Sequence, residues 1–80
     1  MLTHQQISVL SFVDGYMKRH GIAPTQTEIA DGIGVRYNST AAHHINTLRR
    51  EGYLNGQARI PRSTTITRKG KTALAKSRKD

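Results

Sequence analysis

Between Pro24 and Leu54 the chain reads PTQTEIADGIGVRYNSTAAHHINTLRREGYL, and this run leaves few folds open. Thr25, followed three residues later by Glu28, is a capping-box start for a helix. Ile29, Ala30 and Ile33 then recur at helical spacing and face a core. Gly34 ends the helix after about two turns, and Gly32 weakens its last turn. Val35-Arg36-Tyr37 forms a turn, and a further helix starts near Tyr37 or Asn38 and runs to Arg50, where Glu51-Gly52 breaks it. On this helix Ala41, Ile45 and Leu48 fall at i, i+4 and i+7, a core stripe. The opposite face carries Ser39, His43, Asn46 and Arg50, flanked by Thr40, Ala42, Thr47 and Arg49. Two short helices joined by a glycine turn, the second with one apolar face and one polar face free of acids, are how a chain presents a helix to the major groove of DNA.

The flanking segments complete a small domain. Thr3 with Gln6 opens an N-terminal helix through another capping box. Val9, Leu10, Val13, Tyr16 and Met17 form its apolar face, which Phe12 widens. Gly15 lies inside this pattern at a cost of about 1 kcal/mol relative to Ala, so close packing against a neighbouring element is expected there. Lys18, Arg19 and His20 suit the helix C-terminus, and Gly21 stops it. Tyr53-Leu54 starts a strand, 55–61 is a loop with Arg59 near its tip, and Ser63 to Thr67 is a second strand with Ile66 buried. The tail from Arg68 has Ala73 and Leu74 as apolar anchors and forms a short helix that frays before Asp80. The expected fold is mainly α with a small β-ribbon: a winged helix-turn-helix with a three-helix core, a two-stranded wing and a short C-terminal helix or tail. Residues 1–67 make the winged helix-turn-helix domain and 68–80 the basic helix or tail.

Charge singles out a partner. The 80 residues carry 13 Lys+Arg and 5 Asp+Glu, a net of +8, of which +7 falls within residues 52–80. A one-sided basic surface is the footprint of a polyanion partner. The absence of cysteine excludes a disulfide framework, a thiolate nucleophile and a Cys-based zinc site. No apolar run approaches a membrane span, and no signal peptide is expected, which fits a cytoplasmic, nucleoid-associated protein.

The order and spacing of Leu2-Thr3, Gln6, Gly21, Pro24-Thr25, Glu28-Ile29-Ala30, Gly34, Ala41-Ala42, Ile45, Leu48 and Gly52 resemble the LexA-type winged helix-turn-helix DNA-binding domain over residues 2–67. The resemblance implies that the third helix enters the major groove and that Tyr37, Ser39, Thr40, Ala42 and His43 touch bases. The family usually has Ser-Pro-Asn or Ser-Ser-like residues where this chain has Tyr37-Asn38-Ser39, and acidic or other polar residues at Ala42-His43, so its binding sequence does not carry over. The self-cleaving Ser-Lys peptidase and dimerisation domain of LexA-type repressors has no counterpart in these residues, and autocleavage is not expected of them. Thr67 to Leu74 resembles the strand-to-helix step of small MarR-type regulators.

The side chains refine this expectation. Ser39, Thr40, His43 and Asn46 can donate or accept at base edges, and Asn46 can make a paired contact to adenine. Arg36, Asn38, Arg49, Arg50, Arg59, Arg62, Arg68, Lys69 and Lys71 form the expected phosphate or minor-groove set, with Arg59 suited to a narrow minor groove. His43 and His44 point about 100° apart on a helix and cannot chelate as an i, i+4 pair, so no metal is expected. Asp14, Glu28, Asp31 and Glu51 are scattered and read as surface or capping residues; no cofactor and no enzymatic activity are expected. The expected function is that of a sequence-specific, double-stranded-DNA-binding transcriptional regulator, a repressor, of bacterial or phage type and acting as a homodimer. The alternatives are a protein-interaction module acting on another regulator or polymerase, and a non-specific nucleic-acid-binding accessory protein.

Overall fold

Thr3 opens the first helix as its spacing to Gln6 predicts: its hydroxyl accepts from the Gln6 amide N–H, and the Gln6 side chain accepts from the Thr3 N–H. The computed structural model describes residues 2–78. Helix α1 spans His4–His20 and closes on Gly21 in the left-handed region. Pro24 and Ala23 are buried in the extended link. Thr25 and Glu28 form the second capping box, and α2 spans Gln26–Ile33. Gly34, at φ 78°, turns the chain into α3, Asn38–Arg50. A side chain there would meet the steric cost of the left-handed conformation, which glycine escapes.

Strands β1 (Leu54–Asn55) and β2 (Thr65–Ile66) pair antiparallel, with Leu54 opposite Ile66. They are short, but their inward residues join the core. Helix α4, Arg68–Arg78, follows at once. Thr67 starts it: the hydroxyl accepts from the Gly70 N–H at 3.0 Å and lies 2.7 Å from the Gly52 carbonyl, to which it donates. The architecture is therefore a helix-turn-helix with a two-stranded wing, as expected from the sequence, and a fourth helix laid back on α1. The fraying expected before Asp80 lies outside the described residues.

One core unites these elements. Val9, Leu10 and Val13 of α1, Ile29 and Ala30 of α2, and Ala41, Ile45 and Leu48 of α3 are buried together with Leu54, Ile66 and Leu74. Leu74 brings α4 into the same core, whereas Ala73 is only half-buried. Phe12, Met17, Ile33 and Tyr53 pack around it.

Two sequence expectations fail here. A methyl group on Gly15 would meet nothing within 4 Å, so that glycine marks no close contact. The close contact is at Gly32, where a methyl would overlap the Phe12 ring. Asp14 is not a surface residue: it is buried and pairs with Lys18 Nζ at 3.0 Å, one helical turn on. Periodicity places both on α1, but only the packing of α2 and α4 decides which side is covered.

Candidate nucleic-acid interface

Helix α3 is built to show one face. Ala41, Ile45 and Leu48 hold it to the core, which leaves Ser39, Thr40, His43, Asn46 and Arg50 exposed on the other side. Ala42 is half-buried at the margin, as is His44. Tyr37 stands at the helix entrance, 62% exposed, with no side-chain hydrogen bond to the helix end. The starts of α1, α2 and α4 are each closed by a threonine hydroxyl, whereas the start of α3 has no side-chain cap and no acid in its first turn. Its positive dipole end and open N–H groups are suited to an anion such as phosphate.

The turn between α2 and α3 is fixed by side chains. Asn38 Nδ2 donates to Thr27 Oγ1 at 3.0 Å, and Gln26 Nε2 donates to the Asn38 carbonyl at 3.2 Å. Asn38, placed by sequence among the phosphate-binding residues, thus holds the angle at which α3 leaves the turn.

The wing is closed by Ser63. Its hydroxyl accepts from the Gln57 N–H at 3.0 Å and lies 2.7 Å from the Ile60 carbonyl. Gly56, at φ 117°, lies so close to the Ser63 carbonyl that no side chain fits there. Arg59 sits in the turn from Gln57 to Ile60, exposed. Arg36, Arg50, Arg59, Arg68 and Lys71 are exposed and make no ion pair or side-chain hydrogen bond among the described residues.

Three other cations expected on phosphate are engaged within the protein. Arg62 Nη1 donates to Glu28 Oε1 at 3.0 Å and to the Ala23 carbonyl at 3.0 Å, and it reaches Tyr16 Oη at 3.3 Å. Tyr16 in turn donates to Glu28 Oε2 at 3.0 Å. This clamp ties the foot of the wing to α1 and to the start of α2. Glu28 is held down to about 2: the Thr25 N–H bond contributes most, partial burial opposes it, and Arg62 and Tyr16 add to the lowering. Arg49 is the second case. Its Nη2 donates to Thr64 Oγ1 at 2.6 Å and its Nη1 to Asn46 Oδ1 at 3.3 Å, while Nε is buried without a partner among the described residues. Loss of water around the guanidinium lowers its pKa. Lys69 is the third: Nζ donates to the Glu51 carbonyl at 2.7 Å, at the end of α3, and lies 4.5 Å from the centre of the Tyr53 ring. Ammonium against a helix C-terminus and a ring face is a stabilising arrangement in both respects.

A displayed helix, an uncapped helix start and a wing with a free arginine in its turn each have a chemistry that suits a duplex. The family model for the LexA DNA-binding domain matches residues 1–63. The chain belongs to the LexA DNA-binding domain family. The LexA repressor of Carboxydothermus hydrogenoformans is 36% identical over 66 residues, 82% of this chain and 32% of that protein. The LexA repressor of Limosilactobacillus fermentum is 39% identical over 72 residues, 90% of this chain and 35% of that protein. The chain thus spans about a third of the length of these relatives. Among solved structures, the Mycobacterium tuberculosis transcriptional regulator MosR superposes with a TM-score of 0.76 at 32% identity, covering 96% of this chain and 53% of that one. The winged helix-turn-helix fold expected of a LexA-type domain is the fold observed, and DNA is the partner of such a domain. No helix among the described residues is long and apolar enough to cross a membrane.

Sequence reasoning missed the clamp partners. Sequence places Tyr16 in packing and Glu28 in a cap, yet both also accept a hydrogen bond from Arg62 of the wing. Their separation from Arg62, 46 and 34 residues, leaves no local signal. Thr67 did carry a signal, a threonine three residues before Gly70 at the start of α4, that reasoning about caps can find.

Proposed function

We propose that this LexA-type domain is a sequence-specific, double-stranded-DNA-binding transcriptional repressor that places α3 in the major groove. The observation that carries this reading is the exposed, acid-free outer face of α3 on a helix whose other side is locked into the core. Ser39, Thr40, His43 and Asn46 supply donors and acceptors for base edges, and Tyr37 and Ala42 border them. Arg36 and Arg50 flank that face, Arg59 reaches a groove or phosphate from the wing, and Arg68 and Lys71 add charge from α4. The names of the relatives support repression, by occupation of a site that polymerase needs. A homodimer on a two-fold site fits, since a single small module offers limited interface area. No catalytic role is assigned to any side chain.

The test is selection from a randomised duplex pool at near-physiological salt. A motif bound ~10³-fold or more tightly than scrambled DNA supports the proposal, and a palindrome within it supports the dimer. Weak, salt-labile binding without a motif would refute sequence-specific repression.

A further inference from the structure

Asn46 does not present its whole amide to a ligand. Its Oδ1 accepts from Arg49 Nη1 at 3.3 Å, while Nδ2 has no hydrogen-bond partner among the described residues. Arg49 is held by more than Asn46. Its other terminal nitrogen is fixed on Thr64 Oγ1 at 2.6 Å, Thr64 itself is only 6% exposed, and Nε is buried. The guanidinium therefore bridges the foot of the wing to the outer face of α3, and it faces Asn46 as a donor with no acceptor of its own.

We propose that Arg49 determines which base Asn46 reads: by engaging Oδ1 it makes Asn46 a hydrogen-bond donor, selecting guanine or thymine at that position over adenine or cytosine. This rests on the reading that the outer face of α3 meets base edges. In the major groove, guanine offers N7 and O6 as acceptors and thymine offers O4, whereas cytosine offers only the N4 donor. The paired contact of an amide with adenine requires Oδ1 to accept from N6 while Nδ2 donates to N7. An Oδ1 already bonded to a cation keeps one free lone pair but is a weaker acceptor for that N6 proton, and the same bond polarises Nδ2–H and strengthens it as a donor. The adenine contact open to Asn46 on sequence alone is thus the one its neighbour disfavours. Arg49 is a positioning residue that acts through Asn46.

The experiment is duplex selection with the wild type, Asn46→Ala, Asn46→Asp, Arg49→Met and Thr64→Val, each checked for folding by far-ultraviolet circular dichroism. Asn46→Ala identifies the motif position that Asn46 reads, because the preference there is lost. At that position the wild type is expected to favour guanine or thymine about fivefold over adenine or cytosine. Asn46→Asp keeps the acceptor for Arg49 and loses the donor, so the guanine or thymine preference vanishes. Arg49→Met frees Oδ1 and raises adenine at least to parity at that position alone, and Thr64→Val, which unfastens the guanidinium, moves the preference the same way. A merely structural Arg49 would weaken binding to all sequences alike and leave that position unchanged. A wild-type preference for adenine there overturns the proposal, as does an unchanged preference in folded Arg49→Met and Thr64→Val. A motif that Asn46→Ala leaves untouched at every position also overturns it while leaving α3 as the reading helix. Absence of any wild-type motif removes the underlying reading as well.

Discussion

The arginines of α3 and the wing fall into two groups that are used differently. Arg50, like Arg36 before the helix and Arg59 on the wing tip, is exposed and has no partner among the described residues. Arg62 and Arg49, at the wing's foot and on the flank of α3, are engaged by Glu28, the Ala23 carbonyl, Thr64 and Asn46. A count of cations treats the two groups alike. The bonding separates them into charges available to a polyanion and charges that hold the wing and α3 in a fixed relation.

The largest expected effect breaks the first group. Replacing Arg36, Arg50 and Arg59 together by Gln should reduce the slope of log affinity against log salt by about three, weakening all sequences alike. Stability should change by no more than about 0.5 kcal/mol per substitution, since these are surface positions. Titrations of binding at several salt concentrations, with thermal melts, check both halves. A steep slope retained in the triple variant would mean that these arginines do not face phosphate.

The second group should give the opposite pattern. Arg62→Ala should lower stability, since it removes hydrogen bonds to a carboxylate and a carbonyl, although exposure of the site limits the loss. The melting temperature should fall, with the salt slope unchanged. A shallower slope in Arg62→Ala would show that this arginine also meets phosphate and would blur the division. Gly15→Ala, whose added methyl touches neither group, serves as a control. It should raise stability by about 0.5–1 kcal/mol, because the helix gains an alanine and the new methyl meets nothing.

The smallest effect is in pH. Glu28 is lowered from the usual 4.5 to about 2 in the folded chain. The folded state therefore favours the ionised carboxylate, and its contribution is fully present above pH 4.5. That contribution is lost as pH falls from 4.5 through about 2. Denaturant melts across this window should show a decline in stability that is shallower in Glu28→Gln. Equal slopes in the two proteins would contradict a folded state that favours the ionised Glu28 carboxylate.

Much of this fold was legible in the sequence because its signals are local. Thr3 with Gln6 and Thr25 with Glu28 lie within one turn of each other, and both capping boxes form. The stripe Ala41, Ile45, Leu48 gave the orientation of α3, and hence its outer face, from periodicity alone. What was not legible depends on residues far apart in the chain. Arg62 meets Glu28 across 34 residues and Arg49 meets Thr64 across 15, so each looked like a free cation. Gly15 and Gly32 are both helix-interior glycines to a propensity rule. Only the Phe12 ring lying over Gly32 tells them apart.

The most direct test of the central claim is to titrate the isotope-labelled protein with the selected duplex and follow its amide and side-chain resonances by NMR. The largest shifts should fall on the outer face of α3, from Tyr37 to Arg50, and on the wing around Arg59. Little should change on the shallow groove between α1 and α4 lined by Ser8, Gly15, Arg19 and Ser77. Shifts concentrated on that groove, with Ser39, His43 and Asn46 unmoved, would contradict the assignment of α3 as the helix that reads DNA.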